Sequence, residues 1–169
     1  MASEEAYKIV LLGETKVGKS SILNQYCFGK FDPNIPTSAT ATYGKKEIKS
    51  DEGNLIILDI CDTAGLEKYR SLAKIFFKDS KANILVYDPT DEKSFKELKE
   101  FWYVQVKGLN SVLAVVANKS DLNEKEVKDE EGKEFAESIG AIFASVSAKD
   151  NIGIPTLFEQ VLQAIKNKK

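Results

Sequence analysis

Five short apolar runs, at 7–12, 55–60, 82–88, 112–117 and 141–146, limit what this chain can become. None alternates cleanly between polar and apolar residues, so each reads as a strand covered on both faces, as in a parallel sheet. Helical patterns separate them. Ile154, Leu157, Phe158, Val161, Leu162 and Ile165 form one apolar helix face. Phe95, Leu98, Phe101 and Trp102 mark a second behind Thr90-Asp91-Glu92, and a more polar third covers 127–139. A sixth strand, at 43–49, reaches 55–60 through Ser50-Asp51-Glu52-Gly53-Asn54, a turn composition suited to an antiparallel hairpin. The alternation predicts an α/β three-layer sandwich on a six-stranded, mostly parallel sheet with one antiparallel strand, with 1–169 as a single domain. Ligands of such sheets bind beyond the carboxyl ends of the strands.

Composition narrows the chemistry. The chain has no histidine, which excludes His-based triads and His-ligated metals. Its 24 basic and 26 acidic side chains leave a net charge of −2, which argues against nucleic acid as a partner. Cys27 and Cys61 form no CxxC pair. No apolar run approaches the roughly 18 residues that span a bilayer, and the acidic Met1-Ala2-Ser3-Glu4-Glu5 start has no apolar signal core. The polar stretch 29–42, with Pro33 and Pro36, lacks periodicity; a long loop of this kind in a compact domain is a candidate for function.

Gly13-Glu14-Thr15-Lys16-Val17-Gly18-Lys19-Ser20 follows the first strand and opens a helix. It matches G-x-x-x-x-G-K-[ST], the pattern whose glycines let backbone N–H groups surround phosphate oxygens at a helix N-terminus. Lys19 would reach the outer phosphates and the Ser20 hydroxyl would hold Mg2+. Asp62-Thr63-Ala64-Gly65 follows the strand at 55–60. Its aspartate can hold the ion through water, and Gly65 can bring its N–H close to a terminal phosphate. Asn118-Lys119-Ser120-Asp121 follows the strand at 112–117. The Asp121 carboxylate can accept from guanine N1–H and the exocyclic amine together, a donor pair that adenine lacks. The Lys119 stem would cover the base and Asn118 would tie loops together. Ser147-Ala148-Lys149 ends a further strand, where backbone could face the base carbonyl and Lys149 lie against the ring.

In this order the motifs resemble the Ras superfamily of small GTPases over essentially the whole chain, with a P-loop G domain as the implied fold. Lys68-Tyr69-Arg70-Ser71-Leu72, Ile75-Phe76-Phe77 and Leu85-Val86-Tyr87-Asp88-Pro89-Thr90 are similar to Rab signatures. The Tyr7–Glu14 start and the Y-C-x-x-K-F of Tyr26 to Phe31 look most like the endosomal Rab branch. The resemblance implies a GTP/GDP switch with Mg2+ that serves vesicle traffic, with exchange factors, GTPase-activating proteins and effectors as partners. Two loop regions, about 31–43 and 62–77, would order around the γ-phosphate. It implies a nucleotide-binding set of Glu14, Thr15, Lys16, Val17, Gly18, Lys19, Ser20, Ser21, Phe31, Thr37, Ser38, Gly65, Asn118, Lys119, Asp121, Ser147, Ala148 and Lys149. Phe31 takes the place of the aromatic against guanine. Ser38 stands where the family has a Mg2+-binding threonine, with Thr37 and Thr40 as neighbouring alternatives; Ser20, Ser38 and Asp62 are the implied metal set, and the protein is expected to be a monomer.

Three positions depart from the family. Leu66 stands where glutamine orients the attacking water, and leucine has neither donor nor acceptor. Very slow hydrolysis is therefore expected, the alternative being a binding module that holds GTP and never turns over. Thr15 and Lys16 replace small residues near the γ-phosphate, with Lys16 expected to point to solvent. Cys61 replaces the tryptophan of an effector-reading patch completed by Tyr43 and Phe76. The family's prenylated tail, which would place the protein on the cytosolic face of endosomal or vesicle membranes, is expected to be missing from this sequence, since no cysteine follows Cys61.

Overall fold

A computed structural model describes residues 2–34, 42–63 and 74–168. In chain order the elements are β1 (Glu4–Leu12), α1 (Lys19–Phe28), β2 (Thr42–Lys49), β3 (Leu55–Asp62), α2 (Lys74–Phe77), β4 (Ala82–Tyr87), α3 (Glu92–Glu97), α4 (Tyr103–Val106), β5 (Val112–Ala117), α5 (Asp129–Ser138), β6 (Ile142–Ser145) and α6 (Ile154–Asn167). A π-helical turn, Leu98–Trp102, joins α3 to α4. The six strands lie in the order β2-β3-β1-β4-β5-β6. Only β2 runs antiparallel, to β3; the other neighbours are parallel.

The apolar runs behave as two-sided strands must. Successive side chains point to opposite faces of a sheet, and β1 sends Ile9 and Leu11 to one core and Val10 and Leu12 to the other. The strand β4 divides Ile84 and Val86 from Leu85 and Tyr87 in the same way, as β5 divides Ala114 and Val116 from Val115 and Ala117. On the first face α1 brings Ile22 and Leu23, and α6 brings Leu157, Phe158 and Val161. Tyr26 of α1 stacks on Phe158 of α6 with ring centroids 3.9 Å apart and planes 7° from parallel. The second face is covered by Phe77, Phe95, Leu98, Trp102 and Val106. Helix, sheet and helix make the expected three layers.

Boundaries differ from the sequence expectation where pairing outweighs polarity. The first strand begins at Glu4 rather than at 7, because Glu4, Glu5 and Ala6 find ladder partners in Leu55, Ile56 and Ile57. The hairpin turn closes as its composition predicts: Ser50 N–H donates to Asn54 O at 2.9 Å, Gly53 N–H returns to Ser50 O at 2.9 Å, and Gly53 takes a φ of 84°. The second helical pattern contains a turn that periodicity did not disclose. Tyr103 N–H donates to Leu98 O, five residues back, where an α-helix would use the fourth. The strands β1, β3, β4, β5 and β6, being parallel, present their carboxyl ends on one edge; the segments 13–20, 118–121 and 147–149 follow such ends, and Asp62 closes β3.

Candidate nucleotide site

The loop after β1 is built for close approach. Gly13 takes a φ of 147°, and a Cβ there would stand 2.2 Å from Val86 O. Gly18 takes a φ of 101°, and a Cβ there would stand 2.1 Å from Asn118 Nδ2. Both positions demand glycine for contact as well as for conformation. Gly18 also opens α1 without a side-chain cap, and the helix has no acidic residue in its first turn. That leaves the helix N-terminus its positive partial charge, which favours an anion.

Lys19 is buried, and its ammonium folds back on the loop, donating to Gly13 O at 2.8 Å and Glu14 O at 2.7 Å. Val17 is buried, while Thr15 and Lys16 are exposed, in keeping with a Lys16 that points to solvent. Lys16 nonetheless adopts a left-handed φ of 67°. Ser20 donates its hydroxyl to Asp62 Oδ2, and Thr42 Oγ1 donates to the same oxygen at 3.3 Å. Asp62 has no solvent exposure. Hydroxyl and carboxylate oxygens are the hard donors that Mg2+ takes, usually one or two from protein with phosphate and water completing the shell. The donor set therefore fits that ion. No group of three or more His, Cys, Asp or Glu gathers among the described residues. Ser21 follows, half-buried, in the first turn of α1.

The base loops meet the phosphate loop through Asn118. Its Nδ2 donates to Val17 O at 3.0 Å, and its Oδ1 accepts from Ala148 N–H at 3.2 Å. One buried amide thus joins three loops. Lys119, at a left-handed φ of 62°, donates from Nζ to Lys16 O and to Asp88 Oδ2, each at 2.8 Å. Asp121 accepts from the Ser147 hydroxyl at 2.8 Å, and Asp150 N–H donates to Ser147 Oγ at 3.0 Å. Lys149 is exposed beside them, and Phe31 is half-buried beyond the end of α1. Thr37, Ser38, Thr40, Gly65 and Leu66 lie outside the described residues.

Three contributors were given no site role in the sequence. Asp88, inside a Rab-like segment, anchors Lys119; Gln25 Nε2 donates to Ala148 O at 2.8 Å, and Trp102 Nε1 donates to Glu14 Oε1 at 2.9 Å. Asp88 had a signal in its place at the carboxyl end of β4; Gln25 and Trp102 had none. In the expected effector patch Tyr43 is 63% exposed and Phe76 is half-buried, whereas Cys61, the antiparallel partner of Tyr43, is wholly buried. Burial pushes the Cys61 thiol above its ordinary range, so at neutral pH it is a protonated, small apolar residue.

Comparison with known proteins agrees with this architecture. The Ras family profile matches residues 8–167. Ras-related protein Rab-21 of Mus musculus is 41% identical over 157 residues, covering 90% of this chain and 70% of that protein. Ras-related protein Rab-22A of Homo sapiens is 40% identical over 162 residues, covering 94% and 82%. Ras-related protein RabC of Dictyostelium discoideum is 36% identical over 171 residues, covering 98% and 87%. The chain belongs to the Ras family of small GTPases. Within that family it is a Rab-type protein of vesicle traffic, similar in sequence to Rab-21 and Rab-22A, as the endosomal resemblance led one to expect. As such it binds GTP or GDP with Mg2+, hydrolyses GTP, and works with exchange factors, GTPase-activating proteins and effectors. No helix among the described residues is long and apolar enough to cross a membrane.

Proposed function

We propose that this chain is a single G domain whose hydrolytic step is strongly slowed by Leu66, so that it stays long in the GTP state and signals by presenting a surface. The observation that carries its nucleotide-binding part is the junction at Asn118, which binds Val17 O and Ala148 N–H together and so joins the loop after β1, the loop after β5 and the 147–149 loop; leucine at position 66 carries the rest. In this reading Lys19 and the N–H groups of 14–21 hold the phosphates, Asp121 reads guanine, and Lys119, Lys149 and Phe31 cover the base. Ser20 and Ser38, with Asp62 through water, hold Mg2+, which supplies positive charge to the phosphate oxygens. Gly65 N–H would serve the terminal phosphate. Glutamine would align the water; leucine can neither donate nor accept, and losing such alignment costs on the order of 100-fold. Effectors dock on Tyr43 and Phe76 above the buried Cys61. The protein acts as a monomer, and if the full-length protein is prenylated its place is the cytosolic face of endosomal or vesicle membranes.

Single-turnover hydrolysis of Mg2+-GTP, measured beside Leu66→Gln, tests the reading. The expected outcome is an increase of roughly 100-fold in the variant. Equal, fast rates would overturn the role given to Leu66. Equal, slow rates that no activating protein raises would favour a binding module that never turns over.

A further inference from the structure

The phosphate loop carries a carboxylate. Glu14 stands between Gly13 and Thr15 in a segment whose backbone gathers phosphate oxygens, where a negative charge works against the ligand. Its side chain does not lie loose. Glu14 Oε1 accepts from the indole Nε1 of Trp102 at 2.9 Å, across 88 residues of sequence. Trp102 is fully buried in the core between the sheet and the α3–α4 helix pair, so its N–H finds its partner inside the protein. It is also the chain's only tryptophan. Its position follows from the π turn: Leu98–Trp102 contains one residue more than an α-turn would, and the Tyr103-to-Leu98 bond closes it. Such insertions rotate the residues around them and recur at functional sites. The backbone of Glu14 is meanwhile tied to Lys19 by the 2.7 Å bond from Nζ. One residue is thus held by its carboxylate from the helix and by its carbonyl from the phosphate-binding lysine.

We propose that Trp102 is a positioning residue for the nucleotide phosphates, its indole N–H holding the Glu14 carboxylate toward the α3–α4 layer and fixing the loop between Gly13 and Lys19. The inference rests on the nucleotide reading of the site. It gives the helix layer a hold on nucleotide release, since a shift of the π turn would free the carboxylate beside the phosphates.

The test is the rate at which a ribose-labelled fluorescent GDP leaves the Mg2+-loaded protein, excited directly. Trp102→Phe keeps the ring packing and removes the donor, and release is expected to accelerate about tenfold, the size of one hydrogen bond to a charged group. Glu14→Asp leaves the core untouched and withdraws the carboxylate by one methylene, so it is expected to do the same even if Trp102→Phe proves too unstable to assay. Adding Glu14→Gln to Trp102→Phe removes the released charge and is expected to slow release again, a rescue that loss of packing alone would not give. In the unsubstituted chain, binding of unlabelled GDP is expected to shift the emission of the single tryptophan. Failure of that chain to bind GDP would overturn the nucleotide reading and the inference with it. Binding with release unchanged in both Trp102→Phe and Glu14→Asp, or acceleration without rescue, would overturn the role of Trp102 alone.

Discussion

Tyr26 stands at a point where burial and charge act on one hydroxyl. Its ring stacks on Phe158, and Lys46 Nζ lies 5.1 Å from the ring centroid while donating to Tyr26 O at 3.2 Å. Burial, followed by Cys27 and Glu159, pushes the phenol from its ordinary 10.0 up to about 12. The fold therefore favours the protonated form, and on raising the pH the unfolded chain loses this proton first. The contribution of Tyr26 to stability is whole below pH 10.0, declines between there and about 12, and is gone above that. The difference in denaturation midpoint between the parent chain and Tyr26→Phe is expected to be flat up to that window and then to narrow in the variant's favour. A parallel pair of curves across the window would contradict it. Of the non-glycine residues at left-handed φ, Lys16, Asp79, Lys119 and Asn151, two meet at the site, where the Lys119 ammonium reaches Lys16 O. Two costly backbone conformations are joined by a single hydrogen bond, the kind of over-determination that lets strained residues persist.

Among the elements α6 follows its sequence closely. Five of its six patterned positions, Ile154, Leu157, Phe158, Val161 and Ile165, are buried, while Leu162 is partly so at the edge of the same cluster. Leu157→Ala is expected to lower unfolding stability by about 2–5 kcal/mol and Leu162→Ala by clearly less, because the cavity at a fully enclosed leucine cannot collapse. Urea denaturation of both variants measures it, and equal losses would show that the helix face is not graded in this way. The same reasoning explains what could be read beforehand. The apolar runs were legible because a strand buried on both faces has no polar side to confuse the pattern, and the motif order was legible because each loop follows such a strand. The start of β1 at Glu4 was not, since ladder pairing with β3 requires nothing of side-chain polarity. Nor was the π turn, whose apolar spacing at Leu98 and Trp102 suits an α-helix equally well. Of the candidate site, the loops at 13–20, 118–121 and 147–149 that Asn118 joins were singled out by residue type alone. The bonds from Gln25 and Trp102 were not, because each depends on the tertiary distance between segments and not on any local pattern.

At the scale of the whole molecule the site belongs to no one layer. Lys19 and Ser20 come from α1, Asp88 follows β4 of the sheet, Trp102 belongs to the π turn on the other face, and Asn118 joins loops that follow β1, β5 and β6. A ligand held by all of them favours the folded chain over the unfolded one, and stabilisation by mass action follows the ligand's free concentration over its dissociation constant. At a hundred-fold excess over that constant the gain is about 2.7 kcal/mol, which for a domain of this length raises the melting temperature by roughly 5–10 °C. GDP with Mg2+ is expected to give such a rise. Removing the ion with a chelator should reverse part of it, since Ser20 and Asp62 would then face the phosphates without the intervening positive charge. ATP at the same concentration is expected to give little, because Asp121 would be left without the donor pair that guanine offers. Thermal melts of one nucleotide-stripped preparation under these conditions separate the contributions. A rise with ATP equal to that with GDP would remove Asp121 from its proposed role, and a GDP rise indifferent to chelation would remove the ion from the Ser20–Asp62 pair.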